Sequence, residues 1–321
     1  MAELDSNTEA SPSTSHPKPA HGSACGKAII VGEHAVVYGS RAVAIPLKKM
    51  RMTLELTPHI QGNRPISLKL GGKELSHRIS DVIKDAIQAL RVYPFSLAIQ
   101  GKSSLPFGAG LGASATLCIA ILRAIAASVG MKLTQDRLSV LGNILERRFH
   151  GSPSGLDTAV VAFEECITFT KNGPITAIDL PDNAGNPRWE FALVDSGVRA
   201  STLSMINVAR PYFSGTKADE RIQKFDNLAQ IVGSGISALD YLAVAEAMNE
   251  ASLLLSAAGV VTHQLKEIMK TCLKTGLLAA KPTGAGGGGV VLGLLSPHKS
   301  AEQLAKLRDL FGVQNVYSVT V

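Results

Sequence analysis

The chain has 321 residues, 45% hydrophobic and 18% charged, enough apolar surface for two ordinary domains and too much for a wholly disordered chain. Aromatics are only 5% and no apolar stretch approaches the roughly 20 residues that cross a bilayer, so neither a nucleic-acid nor a membrane partner is expected. The net charge of +6 decides nothing by itself, while four widely spaced cysteines (Cys25, Cys118, Cys166, Cys272) exclude zinc ribbons and dense disulfide frameworks and point to a reduced, cytoplasmic protein.

Residues 1–22 are rich in Ser, Pro and Thr and read as a disordered leader. From Ser23 onward the runs Ala28–Val31 and Ala35–Tyr38 read as two tightly joined strands, with Glu33 and His34 at the turn. Alternation at Met52, Leu54 and Leu56, and again at Phe95, Leu97 and Ile99, gives two half-buried strands. Residues 105–115, LPFGAGLGASA, form a glycine loop that opens a buried helix running to Gly130. A second helix is predicted over about Gln135–Phe149, with Leu138, Leu141 and Leu145 on one face and His150-Gly151 as its stop.

The turn-rich stretch Asp182–Pro187 marks a domain boundary, giving a domain over 23–188 and another over 189–321. Beyond it, Trp189, Phe191 and Leu193 alternate as a strand. Helices are expected around 216–232, 236–258 and 262–278, then a strand at Val290–Leu295 behind the glycine run Gly284–Gly289. A helix near 300–311 and a strand at 315–321 close the chain.

Three segments carry chemistry. Gly108-Ala109-Gly110-Leu111-Gly112 lets backbone N–H groups converge on an anion at the positive end of the following helix, and Ser114 adds a hydroxyl suited to Mg²⁺ or a phosphate oxygen. No Lys-Ser/Thr follows this loop, so it is not a Walker loop, and it lacks the downstream acidic residue of a dinucleotide-binding unit. The run Lys281–Gly289 keeps more glycines than a strand-flanked segment tolerates unless its backbone walls a site. Asp157, in Gly151-Ser152-Pro153-Ser154-Gly155-Leu156-Asp157, and Glu146 on the preceding helix could share a magnesium ion or divide base and metal roles. Either acid alone would read as a cap or a solvated surface group.

Together these segments resemble the GHMP small-molecule kinases. Gly26–Gly39 (GKAIIVGEHAVVYG) is similar to the first family signature, the loop Pro106–Ala115 to the second and Thr283–Gly289 to the third, in family order over most of the chain. Within the family, Gly32–Gly39 and His150–Asp157 are most similar to the branch that phosphorylates mevalonate.

The resemblance implies an α+β, two-domain fold. Its N-terminal domain would be like ribosomal protein S5 domain 2 and its C-terminal domain ferredoxin-like, with a cleft between them. It implies ATP-dependent phosphorylation of the 5-hydroxyl of mevalonate in isoprenoid synthesis. Phosphomevalonate kinase or another family member is the alternative, and a catalytically dead relative is the rival from another class.

By resemblance, Asp157 is the catalytic Asp, and Lys27 contacts both it and the reacting hydroxyl. Ser114 and Glu146 are the Mg²⁺ ligands. Pro106, Gly108, Ala109, Gly110, Leu111, Gly112, Ala113 and Ser114 meet ATP. Glu33, His34, Ser201 or Thr202, and Thr283, Gly284 and Ala285 face mevalonate. The partners implied are mevalonate and ATP, with a homodimer by family likeness alone. The sequence departs from the family at Ala113, Thr158, Pro282 and the Pro-less stretch at 198–199; none of these removes a catalytic group.

Overall fold

The computed structural model describes residues 16–59, 66–92, 95–181 and 189–321. Residues 1–15 of the leader and the stretch Asp182–Pro187, where the sequence sets the domain boundary, lie outside the described residues.

The N-terminal half is a seven-stranded sheet under four helices. Its strands are β1 (Ala20–Val31), β2 (Arg41–His59), β3 (Ser67–Leu70), β4 (Lys73–Glu74), β5 (Ser96–Ser103), β6 (Ile167–Thr170) and β7 (Ile175–Ala177). They lie in the order β4-β3-β5-β2-β6-β7, with β1 also paired to β2 and Ala28 opposite Ile45. The helices are α1 (His77–Ala89), α2 (Ala113–Ser128), α3 (Gln135–His150) and α4 (Leu156–Phe163). β1 begins at Ala20, three residues inside the expected leader. Gly22 is why the chain is ordered this early: any Cβ there would lie 2.1 Å from the Ala120 carbonyl oxygen, so β1 packs directly on the α2 backbone.

β1 is buried on both faces, the pattern of a strand covered by layers on either side. Ile29 packs with Val36, Ala44 and Val160, whereas Ala28 and Ile30 join a cluster containing Phe191, Phe225 and Met248 from the C-terminal half. The expected strand at Ala35–Tyr38 is instead a 3-10 turn, closed by Val36 N–H to Gly32 O at 3.0 Å and Gly39 N–H to Val36 O at 3.2 Å. Gly32, His34 and Gly39 have φ of 102°, 60° and 97°, so the chain reverses too tightly for this run to join a ladder.

The C-terminal half comprises β8 (Glu190–Asp195), α5 (Thr202–Ala209), α6 (Ala218–Ala238), α7 (Tyr241–Ala257), α8 (His263–Lys274), β9 (Ala279–Thr283), β10 (Val290–Leu294), α9 (Ser300–Phe311) and β11 (Val316–Thr320). Its antiparallel sheet runs β11-β8-β10-β9, the ferredoxin-like arrangement. The break between α6 and α7 falls at Leu239-Asp240, later than the glycines at 233 and 235 imply. Asp240 caps α7 through Ala243 N–H at 3.0 Å, and Gly235 is spent on close contact with Val244. Among the described residues no helix is long and apolar enough to cross a membrane.

Candidate active site

A cavity of about 530 Å³ lies where the glycine loop, the start of α2, the end of α3, the start of α4 and the run after β9 converge. The loop delivers the α2 N-terminus to it. Gly112, the N-cap residue, has φ 75° and no side chain to cap the helix, leaving first-turn N–H groups available to an anion. A Cβ on Gly112 would sit 2.9 Å from Lys27 Cγ, so the absent side chain is what lets the Lys27 stem pass. The second glycine run abuts the first. Gly110 and Gly284 both have positive φ, and a Cβ on Gly110 would lie 2.8 Å from Thr283 O. The glycines after Lys281 therefore wall the site, as their density implies.

Lys27, projecting from β1 and almost fully buried, places Nζ 3.1 Å from Asp157 Oδ2 and 3.0 Å from Gly110 O. Asp157 occupies the first turn of α4 behind Gly155, where the helix N-terminus favours a carboxylate. Ser114 Oγ donates to Glu146 Oε1 at 2.9 Å and, its proton being used, accepts from His150 Nε2 at 3.1 Å. Burial, and then the Asp157 charge, push the Glu146 carboxyl up to about 8, against the Ser114 hydrogen bond and the Lys27 charge. Burial also lowers His150.

A hydroxyl and a buried carboxylate that would regain its charge beside a cation suit Mg²⁺, a hard cation that prefers oxygen ligands. No group of three or more His, Cys, Asp or Glu side chains among the described residues makes a dedicated metal cage.

At the other end, Glu33 and His34 sit in the Gly32–Gly39 reversal. His34 Nε2 donates to Ala285 O at 2.9 Å, and burial lowers its pKa. Lys281, wholly buried on β9, donates to Glu33 Oε1 and, at 2.6 Å, to Pro282 O. Burial drives Glu33 up and Lys281 down, each opposed by the other's charge. Thr283 Oγ1 accepts from Ile29 N–H at 2.8 Å and donates to Ile29 O at 3.2 Å, tying β9 to β1.

The structure thus brings Lys27, Glu33, His34, Gly108–Ser114, Glu146, Asp157, Thr202, Thr283, Gly284 and Ala285 to one cavity wall. Pro106 and Ser201 are not on that lining. Ser201 is instead the N-cap of α5, where its side chain accepts from Ser204 N–H. The Thr283 hydroxyl is committed to Ile29, so its contribution is to join the halves. Sequence reasoning missed His150 and Lys281 although both stand inside quoted segments, because nothing in one-dimensional spacing pairs them with Ser114 or Glu33. It also missed the apolar end of the cavity, lined by Leu75, Ile79, Phe107, Leu117 and Phe149. The spacing of Ile79, Val82, Ile83 and Ala86 on α1 signals the helix's core face, and of these only Ile79 reaches the cavity.

The family described as "GHMP kinases N terminal domain" matches residues 78–165, and "GHMP kinases C terminal" matches residues 234–311. The chain belongs to the GHMP kinases. It is 27% identical to the mevalonate kinase of Pyrococcus horikoshii, over 93% of this chain and 95% of that one. It is 28% identical to the mevalonate kinase of Aeropyrum pernix, over 86% and 89%. The crystal structure of L. major mevalonate kinase in complex with R-mevalonate has the same fold, with a TM-score of 0.75 at 20% identity over 97% of each chain.

Proposed function

We propose that this chain transfers the γ-phosphoryl group of ATP to the 5-hydroxyl of mevalonate. One observation carries the reading: a single cavity holds the Lys27–Asp157 pair, the Ser114–Glu146 pair at a helix N-terminus, and Glu33 with His34. The names of the curated relatives, over most of their length, support it. An acceptor bearing a phosphate is less well served. Among the described residues lining the cavity the one Lys or Arg is Lys27, already paired with Asp157.

The apolar end beside Phe107 and Phe149 takes the base, and the N–H groups of Gly108–Ser114 hold phosphate oxygens. Ser114 and Glu146 would hold Mg²⁺, which would neutralise charge on the phosphates. Phosphoryl transfer needs positioning and charge stabilisation above all. Asp157 accepts the 5-hydroxyl proton, and the Lys27 ammonium, fixed by Asp157 and Gly110 O, stabilises the developing alkoxide. All four cysteines are free and buried, which supports a reducing, cytoplasmic setting. The test is product analysis: incubation with ATP and mevalonate should give a monophosphate whose phosphorus couples to the C5 protons by NMR. A phosphate carried on any other oxygen contradicts the reading.

A further inference from the structure

Among the described residues, Glu33 Oε2 is one of two buried side-chain oxygens with no hydrogen-bond partner. Its sister oxygen is held by Lys281, which reaches across from the C-terminal half and is itself fixed by Pro282 O. The arrangement is lopsided: Lys281 is fully buried behind the wall, whereas Glu33 lines the cavity. A buried ion pair contributes little stability over an apolar pair of similar volume, and an orphaned carboxylate oxygen is costly, so packing alone does not account for it. A donor arriving with the substrate would satisfy that oxygen. A carboxylate or phosphate would set one anionic oxygen against another in a buried site, so the group it meets is a donor without negative charge, and a hydroxyl fits.

We propose that Lys281 is a positioning residue for acceptor recognition: by holding Glu33 Oε1 it leaves Oε2 to accept a hydrogen bond from the acceptor hydroxyl that is not phosphorylated. This rests on the reading of the acceptor as mevalonate. With the 5-hydroxyl at Asp157, the tertiary 3-hydroxyl is the donor that remains. Lys281 then sets specificity without touching substrate. A site built to hydrogen-bond a hydroxyl rejects the analogue that lacks it far more strongly than an apolar pocket rejects a lost methylene.

The test compares mevalonate with 5-hydroxy-3-methylpentanoate, which lacks only the tertiary hydroxyl, in the full chain and in K281M. The wild type should prefer mevalonate by about 10-fold or more in kcat/KM. K281M should raise the KM for mevalonate about 10-fold, leave the KM for ATP within about 2-fold, and bring the preference close to 1. Where K281M fails to fold, E33Q/K281M removes both buried charges; it should melt near the wild type and show the same collapsed preference. Wild-type preference in whichever of these variants folds, or a wild type that uses both compounds equally, overturns the proposal. A wild type that phosphorylates neither compound counts against the mevalonate reading itself.

Discussion

Lys27 Nζ and Asp157 Oδ2 stand 3.1 Å apart, joining the middle of β1 to the first turn of α4 in a pair whose lysine is 2% exposed and whose aspartate is 31% exposed. The exposed side is the cavity, so the carboxylate is open to a substrate hydroxyl while its cation is locked in the wall. Asp157→Asn keeps the shape and removes both charge and basicity. Its kcat should fall by about 10²-fold or more with the KM for mevalonate changed by less than about 3-fold. Steady-state kinetics on protein with an unchanged melting temperature checks this; near-normal kcat would remove Asp157 as the base.

Glu146 gives a pH dependence to the ligand-free protein. Its folded pKa, about 8, lies above the ordinary carboxylate value of 4.5, so the folded state binds the extra proton. Its contribution to stability is fully present below pH 4.5 and is lost as pH rises through 8. Without Mg²⁺ or nucleotide, the unfolding free energy should fall by on the order of 1 kcal/mol per pH unit across that window. Glu146→Gln should flatten the slope in denaturant titrations at pH 5, 6, 7 and 8. A slope unchanged by the substitution would contradict the assignment.

Gly110→Ala brings a Cβ to 2.8 Å from Thr283 O at a position with φ 83°. Strain and collision together should cost about 1–3 kcal/mol of stability and displace the phosphate loop, raising the KM for ATP more than that for mevalonate. Paired thermal melts and kinetics decide it.

Thr283→Val removes a hydroxyl that both accepts from Ile29 N–H and donates to Ile29 O in a fully buried position. Leaving those groups without that partner should cost about 1–3 kcal/mol, seen as a lower denaturant midpoint. Thr283→Ser should retain wild-type stability and kinetics. Loss of mevalonate affinity in Thr283→Ser would instead make the Thr283 methyl a substrate contact.

Much of this was legible in the chain because it is local. The glycine loop feeding α2, the α3 stop at His150-Gly151 and the strand after Trp189 are short-range patterns, and the structure has them, although β8 is buried on both faces rather than alternately. The Ala35–Tyr38 run was misread because a short apolar run looks the same in a 3-10 turn as in a strand until the φ angles at Gly32, His34 and Gly39 are known. Lys281 with Glu33 and His150 with Ser114 were not legible as partners, since a long-range ion pair or hydrogen bond leaves no periodicity. The site residues stood out through clustered glycines and isolated acids in short motifs. Their convergence on one cavity is information the fold adds.

The most direct measurement is coupled ADP release by the full chain with Mg²⁺ and ATP, run in parallel over mevalonate, phosphomevalonate, homoserine and galactose. Mevalonate should support turnover at least about 10²-fold above each of the others in kcat/KM, since the Lys27–Asp157 pair and the Glu33–His34 turn face the same small cavity and, among the described residues, no unpaired Lys or Arg lines it for an acceptor phosphate. Turnover with homoserine, galactose or phosphomevalonate in the absence of turnover with mevalonate would contradict the assignment.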